Sequence, residues 1–388
     1  MRSIITRLGG AALAALLLTT ASPHPTLAAG EPYVIGAIAS ESGPGSSLGR
    51  PEADSMQLAV DEINKTGGVN GHQLQLTIID DQSDPSTAVN AVRKLLDQHV
   101  VALLGSSLTQ TTLAMVPVVQ AAKIPLISFG SSAEIIQPVS ERKWIFKMPI
   151  TDFHVAQVMQ DFMKKRGQTK VAVIYRNDDY GKTGLSHFQD AGKQAGFDLV
   201  DAEAIASNAS DATTQLTRVK AANPQAIVVW STLPSVAVIT KGYRELGLTT
   251  PLYFSDGAAN GAFPVIAGNA LNGAYIASTK INVANQISNS DSQKTVTVHY
   301  IDAFLRAYPK DAPVSIFGGF GYDGIYVLRA AFLKAHGTNP KSVRKALENL
   351  TYTGVSGVFR MTPADHNGLS VFSTVMTQIE DKKFKLVR

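Results

Sequence analysis

The chain has 388 residues, no cysteine, 45% hydrophobic and 17% charged residues, and a formal net charge of +4. Without cysteine there is no disulfide, thiolate metal site, cysteine nucleophile or lipidated-cysteine anchor. Setting aside Arg2 and Arg7 at the N-terminus takes the 35 basic residues to 33 against 31 acidic ones, too even a balance for a nucleic-acid partner.

Residues 1–29 read as a secretory signal peptide: Arg2 and Arg7, an apolar run from Leu8 to Leu18, then SPHPTLAAG with cleavage after Ala28 or Ala29. The apolar run is too short to span a bilayer, so the expectation is an exported, periplasmic protein with no membrane anchor. About 360 residues would remain, more than one comfortable core and enough for two domains.

A first strand is expected over Tyr33–Ala39, then the loop ESGPGSSLGR and a helix from Pro51 to about Lys65. Strand Leu74–Asp80 and helix Pro85–Gln98 follow, the helix capped by Asp84 or Ser86. The apolar runs Val100–Leu104 and Ile124–Ser128 read as buried parallel strands. Between them Thr109–Ala122 has helical spacing, which Pro117 should kink or divide. This β-α alternation is that of a doubly wound parallel sheet. After Trp144–Lys147 the rhythm restarts. Helices Asp152–Lys165, one ending at Gln194, Ala212–Ala222 and Ser235–Leu246 alternate with strands Lys170–Tyr175, Asp198–Ala204, Ala226–Trp230, Leu252–Ser255 and Gly273–Ala277. From Ser292 the chain turns helical (292–307, 315–336, 340–350), and it ends with a hairpin over Gly354–Met361 and a strand over Val371–Ile379. The fold class is α/β with two lobes whose short crossings act as hinges.

The stretch Leu104–Glu134 reads as half of a binding cleft. Ser106, Ser107 and Thr109 follow one strand and Ser131 and Ser132 the next, at the carboxyl ends where open parallel sheets bind ligands. Hydroxyls beside outward-pointing helix N–H groups hold a carboxylate without a cationic side chain, although plain N-capping explains any single serine equally well. Tyr180, on the loop RNDDYGKTG, and Asp256, in YFSDGAAN, sit at strand ends of the second lobe, where they would face the first lobe on closure.

Other motifs are weaker. Gly43, Gly45 and Gly49 are spaced GxGxxxG, a poor match to a dinucleotide loop. GSSLG is formally GxSxG around Ser47, with Asp323 and His366 following in hydrolase order, but a helix starting at Pro51 lies four residues too late for a nucleophile elbow. No pair among the eight histidines has metal-ligand spacing, and the pairs Asp80/Asp81 and Asp178/Asp179 fit turn and cap chemistry.

The run DEINKTGGVNGHQLQLTIIDDQSDPSTAVNAVRKLL, with VVALLGSSLTQ, IPLISFGSSAE and VAVIYRNDDYGKTG in that order, resembles the periplasmic Leu/Ile/Val-binding proteins. These are type I solute-binding proteins of ABC importers. The resemblance implies two Rossmann-like lobes joined by three crossings with the ligand between them: residues 30–149 and 278–356 in one lobe, 150–277 and 357–388 in the other. Carried over by position, it places the lobe-one contacts on Thr109, with Ser107 the alternative, and on Gly130, Ser131 and Ser132. In lobe two they fall on Tyr180 and on Asp256, which would hold a ligand ammonium. Leu48 and Leu233 stand where the family has polar aromatics. The resemblance thus implies a monomeric, non-enzymatic receptor with no cofactor or metal, capturing a branched-chain or other apolar amino acid for a membrane permease. An aromatic carboxylate is the alternative ligand. A serine esterase and a ligand-sensing partner of a membrane receptor are the remote alternative functions.

Overall fold

Apolar strands and amphipathic helices alternate along the chain and gather into two sheets, seen in a computed structural model that describes residues 30–308 and 314–387. The expected leader, residues 1–29, lies outside the described residues. The first block runs β1 (Gly30–Ala39), α1 (Ser46–Lys65), β2 (His72–Asp80), α2 (Pro85–Asp97), β3 (Ala102–Gly105), α3 (Thr109–Ala122), β4 (Leu126–Ser128) and β5 (Ile145–Lys147). These strands form a wholly parallel sheet in the order β2-β1-β3-β4-β5. β3, β4 and β5 are buried along their whole length, as strands covered by helices on both faces must be.

The second block runs α4 (Asp152–Lys164), β6 (Lys170–Arg176), α5 (Asp179–Ala195), β7 (Asp198–Ile205), α6 (Thr213–Ala221), β8 (Ala226–Trp230), α7 (Ser235–Glu245), β9 (Leu252–Phe254), α8 (Phe263–Ala267) and β10 (Tyr275–Ser278). The chain then returns to the first block. In α9 (Lys294–Ala307) and α10 (Ile316–Ala335), the latter packs along α1, where Tyr322 and Tyr326 both donate to Glu62, at 2.6 and 2.9 Å. After α11 (Pro340–Leu347) and the hairpin β11 (Thr351–Thr353)/β12 (Val358–Arg360), β13 (Val375–Glu380) and β14 (Lys383–Leu386) rejoin the second sheet, whose order is β14-β13-β10-β9-β8-β6-β7. β6 to β10 are parallel, and β13 and β14 add an antiparallel edge. The crossings between blocks are stitched together: Asn367 Nδ2 donates to the carbonyls of Lys147 (3.0 Å) and Pro149 (2.9 Å).

Most expected elements appear within two residues of their bounds, and the main departures are these. α1 begins at Ser46, not Pro51, because a 3-10 turn over Gly43–Gly45 leads straight into it. Asp80 fixes that turn by accepting from the amides of Glu41 (3.0 Å) and Ser42 (3.2 Å). α3 runs unbroken through Pro117, held by its buried residues Thr112, Met115, Val116 and Val119. Tyr180 lies in the first turn of α5 rather than on a loop, since Asp178 N-caps that helix (Gly181 N to Asp178 Oδ1, 3.1 Å). The hairpin starts at Thr351, and Gly354 lies in its turn. Residues 371–373 are a 3-10 turn before β13, while β14, the four residues KFKL, is too short a run to be read from sequence.

Candidate functional site

Strand order reverses beside β1 in the first sheet and beside β6 in the second, and the loops at these two switch points face each other. Gly105 ends β3 at a position only glycine fills: its φ is +98°, and a Cβ there would lie 1.8 Å from the Ile38 carbonyl oxygen. This close approach carries Ser106, Ser107 and Thr109 to the mouth of the switch point. Between the lobes lies a cavity of about 20 Å³ walled by Leu48, Ser107, Leu108, Thr109, Phe129, Ser131, Arg176, Tyr180, Thr232, Gly257 and Phe317. That volume holds about one water, too little for a larger solute with the lobes placed as they are. A larger groove of about 460 Å³, lined by Phe153, Gln157 and His187 among others, lies between α4 and α5 and away from these strand ends.

The serines after β3 do not cap α3. Its N-cap is Leu108, with no side-chain cap, so the amides of its first turn stay free of intrahelical partners. Ser106 Oγ donates to Asp81, and Ser107 Oγ donates to Glu52 while accepting from the Ser40 amide (3.0 Å). Thr109, at the first position of the helix, is 2% exposed and its Oγ1 has no partner among the described residues. A buried hydroxyl left unpaired is costly. On the next loop Ser131 lines the cavity, whereas Ser132 N-caps the short helix that follows (Glu134 N to Ser132 Oγ, 3.3 Å) and the Gly130 amide donates to Ser128 Oγ (3.0 Å). Beneath Ser131, the buried Lys147 Nζ donates to the carbonyls of Ser131 (2.7 Å) and Pro149 (3.0 Å). Burial pulls Lys147 down to about 8 against the attraction of Asp152 and Asp256.

Across the cleft Tyr180 Oη donates to Asp256 Oδ1 (3.2 Å), pairs with Ser255 Oγ (3.0 Å) and accepts from the Gly257 amide (3.1 Å). Gly257 permits this, since a Cβ there would meet Tyr180 Oη at 2.5 Å. Burial pushes the Asp256 carboxyl up to about 6, the Tyr180 hydrogen bond and Lys147 opposing the rise. Gly257, not Asp256 itself, stands on the cavity wall, so Asp256 lies behind Tyr180. Leu48 lines the cavity; Leu233 is buried off its wall, where the preceding Thr232 stands instead.

Sequence reasoning passed over Arg176, Thr232, Phe129 and Phe317. Arg176 is 2% exposed, pairs with Asp178, donates to Thr232 Oγ1 and lies 5.4 Å from the Tyr180 ring. Its signal was an arginine directly after the apolar run VAVIY. Phe317 comes from α10, far away in sequence, and carries no local signal.

α1 does start directly before Ser47, which removes the sequence objection to a nucleophile elbow, yet the rest of the triad is committed elsewhere. Asp323 accepts from the amides of Val355 (2.9 Å) and Ser356 (2.8 Å), and His366 stacks on Phe146 with Nδ1 2.8 Å from the Ile145 carbonyl.

A family model described as periplasmic binding protein matches residues 32–383. A leucine-, isoleucine-, valine-, threonine- and alanine-binding protein of Pseudomonas aeruginosa is 24% identical over 316 residues, 81% of this chain and 82% of that one. A Leu/Ile/Val/Thr-binding protein of Salmonella typhimurium is 24% identical over 84% of each chain. Among solved structures, an extracellular ligand-binding receptor from Rhodopseudomonas palustris HaA2 superposes with a TM-score of 0.85 at 28% identity, covering 92% of this chain and 99% of that one.

Proposed function

The chain belongs to the periplasmic binding protein family, whose members bind solutes rather than transform them, and from that premise we propose that it captures a small carboxylate in the periplasm and hands it to the permease of an ABC importer. The observation that carries this reading is Thr109: a buried hydroxyl with no protein partner, at the uncapped start of α3, facing a cleft between two switch points. The lobes divide the chain at 30–149 with 278–356 and at 150–277 with 357–388, except that β12 stays with its hairpin partner β11, and closure by hinge motion is the binding step. Thr109, Ser131 and the loop around Gly130 and Ser132 take the carboxylate, with Ser107 holding the loop through Glu52.

The leading ligand is a branched-chain or other apolar amino acid, as the names of the relatives indicate for those proteins. Leu48, Leu108, Phe129 and Phe317 would enclose its side chain, while Tyr180 and Asp256 receive its ammonium. An aromatic carboxylate is a second reading. Two phenylalanines on the wall and an Asp256 set behind Tyr180 favour it, since such a ligand needs no acid. A thermal-shift panel of L-leucine, L-isoleucine, L-valine, L-alanine, benzoate and 4-hydroxybenzoate tests both. A ligand at 100 times its dissociation constant stabilises by about 2.7 kcal/mol. A response to the amino acids alone supports the leading reading, one to the aromatic acids alone the second, and a flat panel counts against both.

A further inference from the structure

Proline has no backbone N–H, so inside a helix it leaves the carbonyl four residues earlier without its donor. Pro51 lies inside α1, and the carbonyl it frees is that of Ser47. The structure supplies the missing donor from the other lobe: Asn260 Nδ2 donates to the Ser47 carbonyl oxygen at 2.7 Å, between residues 213 positions apart. We propose that Asn260 is a positioning residue for lobe closure, a latch that docks onto the carbonyl vacated by Pro51 and holds the two lobes shut over the ligand.

Four further observations support this. Asn260 is prepared for the bond: its Oδ1 accepts from the Ala262 amide (2.8 Å), which orients the side chain so that Nδ2 points outward, and its own carbonyl accepts from Phe263 (3.0 Å). The preceding residue is braced as well, since Asn282 Nδ2 donates to the Ala259 carbonyl (2.9 Å). The latch also sits against the ligand walls, because Ser47 precedes Leu48 and Asn260 follows Gly257 by three residues, and both Leu48 and Gly257 line the cavity. Asn260 is 4% exposed, so the bond is shielded from competing water in the closed form. When the lobes part, both partners return to solvent and the interaction is lost. A bond made only in the closed state slows release with little effect on capture. The latch depends on lobe closure but not on which carboxylate is bound.

The test uses the full chain with cysteines introduced at exposed Gln57 in the first block and Lys241 in the second, in a protein that has no cysteine of its own. Spin labels at these sites report the lobe separation by pulsed electron resonance, in buffer and with millimolar L-leucine. Asn260→Ala should lower the ratio of closed to open molecules about 3- to 10-fold, the range of one neutral hydrogen bond. Asn260→Asp should lower it further, since a carboxylate faces the carbonyl with no hydrogen to donate. Pro51→Ala separates the latch from a merely structural role. Residue 51 then donates to Ser47 within the helix, so the lobes should open while the melting temperature holds or rises. The double variant should be no more open than either single one. Distance distributions unchanged across all variants in both conditions overturn the latch, as does opening in Pro51→Ala that comes with a lower melting temperature. L-leucine failing to close the wild type counts against the branched-chain ligand only, and the variants compared in buffer then decide the latch.

Discussion

Tyr180 donates its phenolic hydrogen to Asp256 across 3.2 Å, and this bond places an acid at the lobe-two end of the cleft without exposing it on the wall. In the amino acid reading, a ligand ammonium adds the cation this buried carboxyl lacks. Asp256→Asn keeps an acceptor for Tyr180 but removes the charge, so amino acid affinity should fall by about 30-fold or more. An aromatic acid without an ammonium should bind nearly unchanged. Calorimetric titration of the variant with the panel members that shift the wild type separates the two.

The same carboxyl gives a pH dependence of defined sign. It takes up its proton near 6 in the fold against 3.8 in the unfolded chain, so between these values the folded state binds more protons. Its contribution to stability therefore falls as pH rises from about 4 to about 6. In the amino acid reading, affinity runs the other way, weakening as pH drops below about 6 and the charge is lost. Denaturant melts and titrations from pH 4 to 8 should show both trends in the wild type, with the affinity trend lost and the stability trend reduced in Asp256→Asn, since buried Asp323 and Glu52 also hold raised carboxyls.

Thr109 should separate stability from binding. Thr109→Val keeps the shape and removes a buried hydroxyl without a protein partner, so the melting temperature should hold or rise. Carboxylate affinity should fall about 10-fold, the value of one charge-assisted hydrogen bond. A variant that loses stability and binds normally would show that Thr109 Oγ1 serves the fold instead.

Lys147 ties the Ser131 loop to the first crossing through two carbonyls. It loses its proton near 8 in the fold and near 10.5 in the unfolded chain, so between those values the unfolded state binds more protons and this group's contribution to stability rises with pH. Lys147→Met should abolish that rise in melts from pH 7.5 to 10. It should also weaken ligand binding, because the Ser131 carbonyl loses its anchor.

Strands β3, β4, β8 and β9 were legible because each is a short apolar run that ends in, or is followed directly by, a small or polar residue, and their carboxyl ends located the cleft. The start of α1 was not, because Pro51 resembles a first-turn proline and the Asp80 contacts that begin the helix earlier are long-range. Ser107 and Ser132 lie on the loops after β3 and β4, but their hydroxyls are engaged within the chain, and only packing distinguishes them from Thr109, whose Oγ1 has no partner among the described residues. Arg176 was hidden by its neighbours: in RNDDYG it reads as one more polar loop residue, and its burial against Thr232 and Tyr180 needs the folded sheet. Asn260 carried no local signal at all, since its partner is a carbonyl exposed by a proline in the other lobe.

In the proposed function, lobe one reads a free carboxylate. The most direct measurement is a calorimetric comparison of acids with their methyl esters, L-leucine against L-leucine methyl ester and 4-hydroxybenzoate against its methyl ester. At least one free acid should bind, and its ester should lose roughly 100-fold in affinity as two charge-assisted hydrogen bonds disappear. An ester that binds as tightly as its acid, or no binding by either acid, would contradict the account.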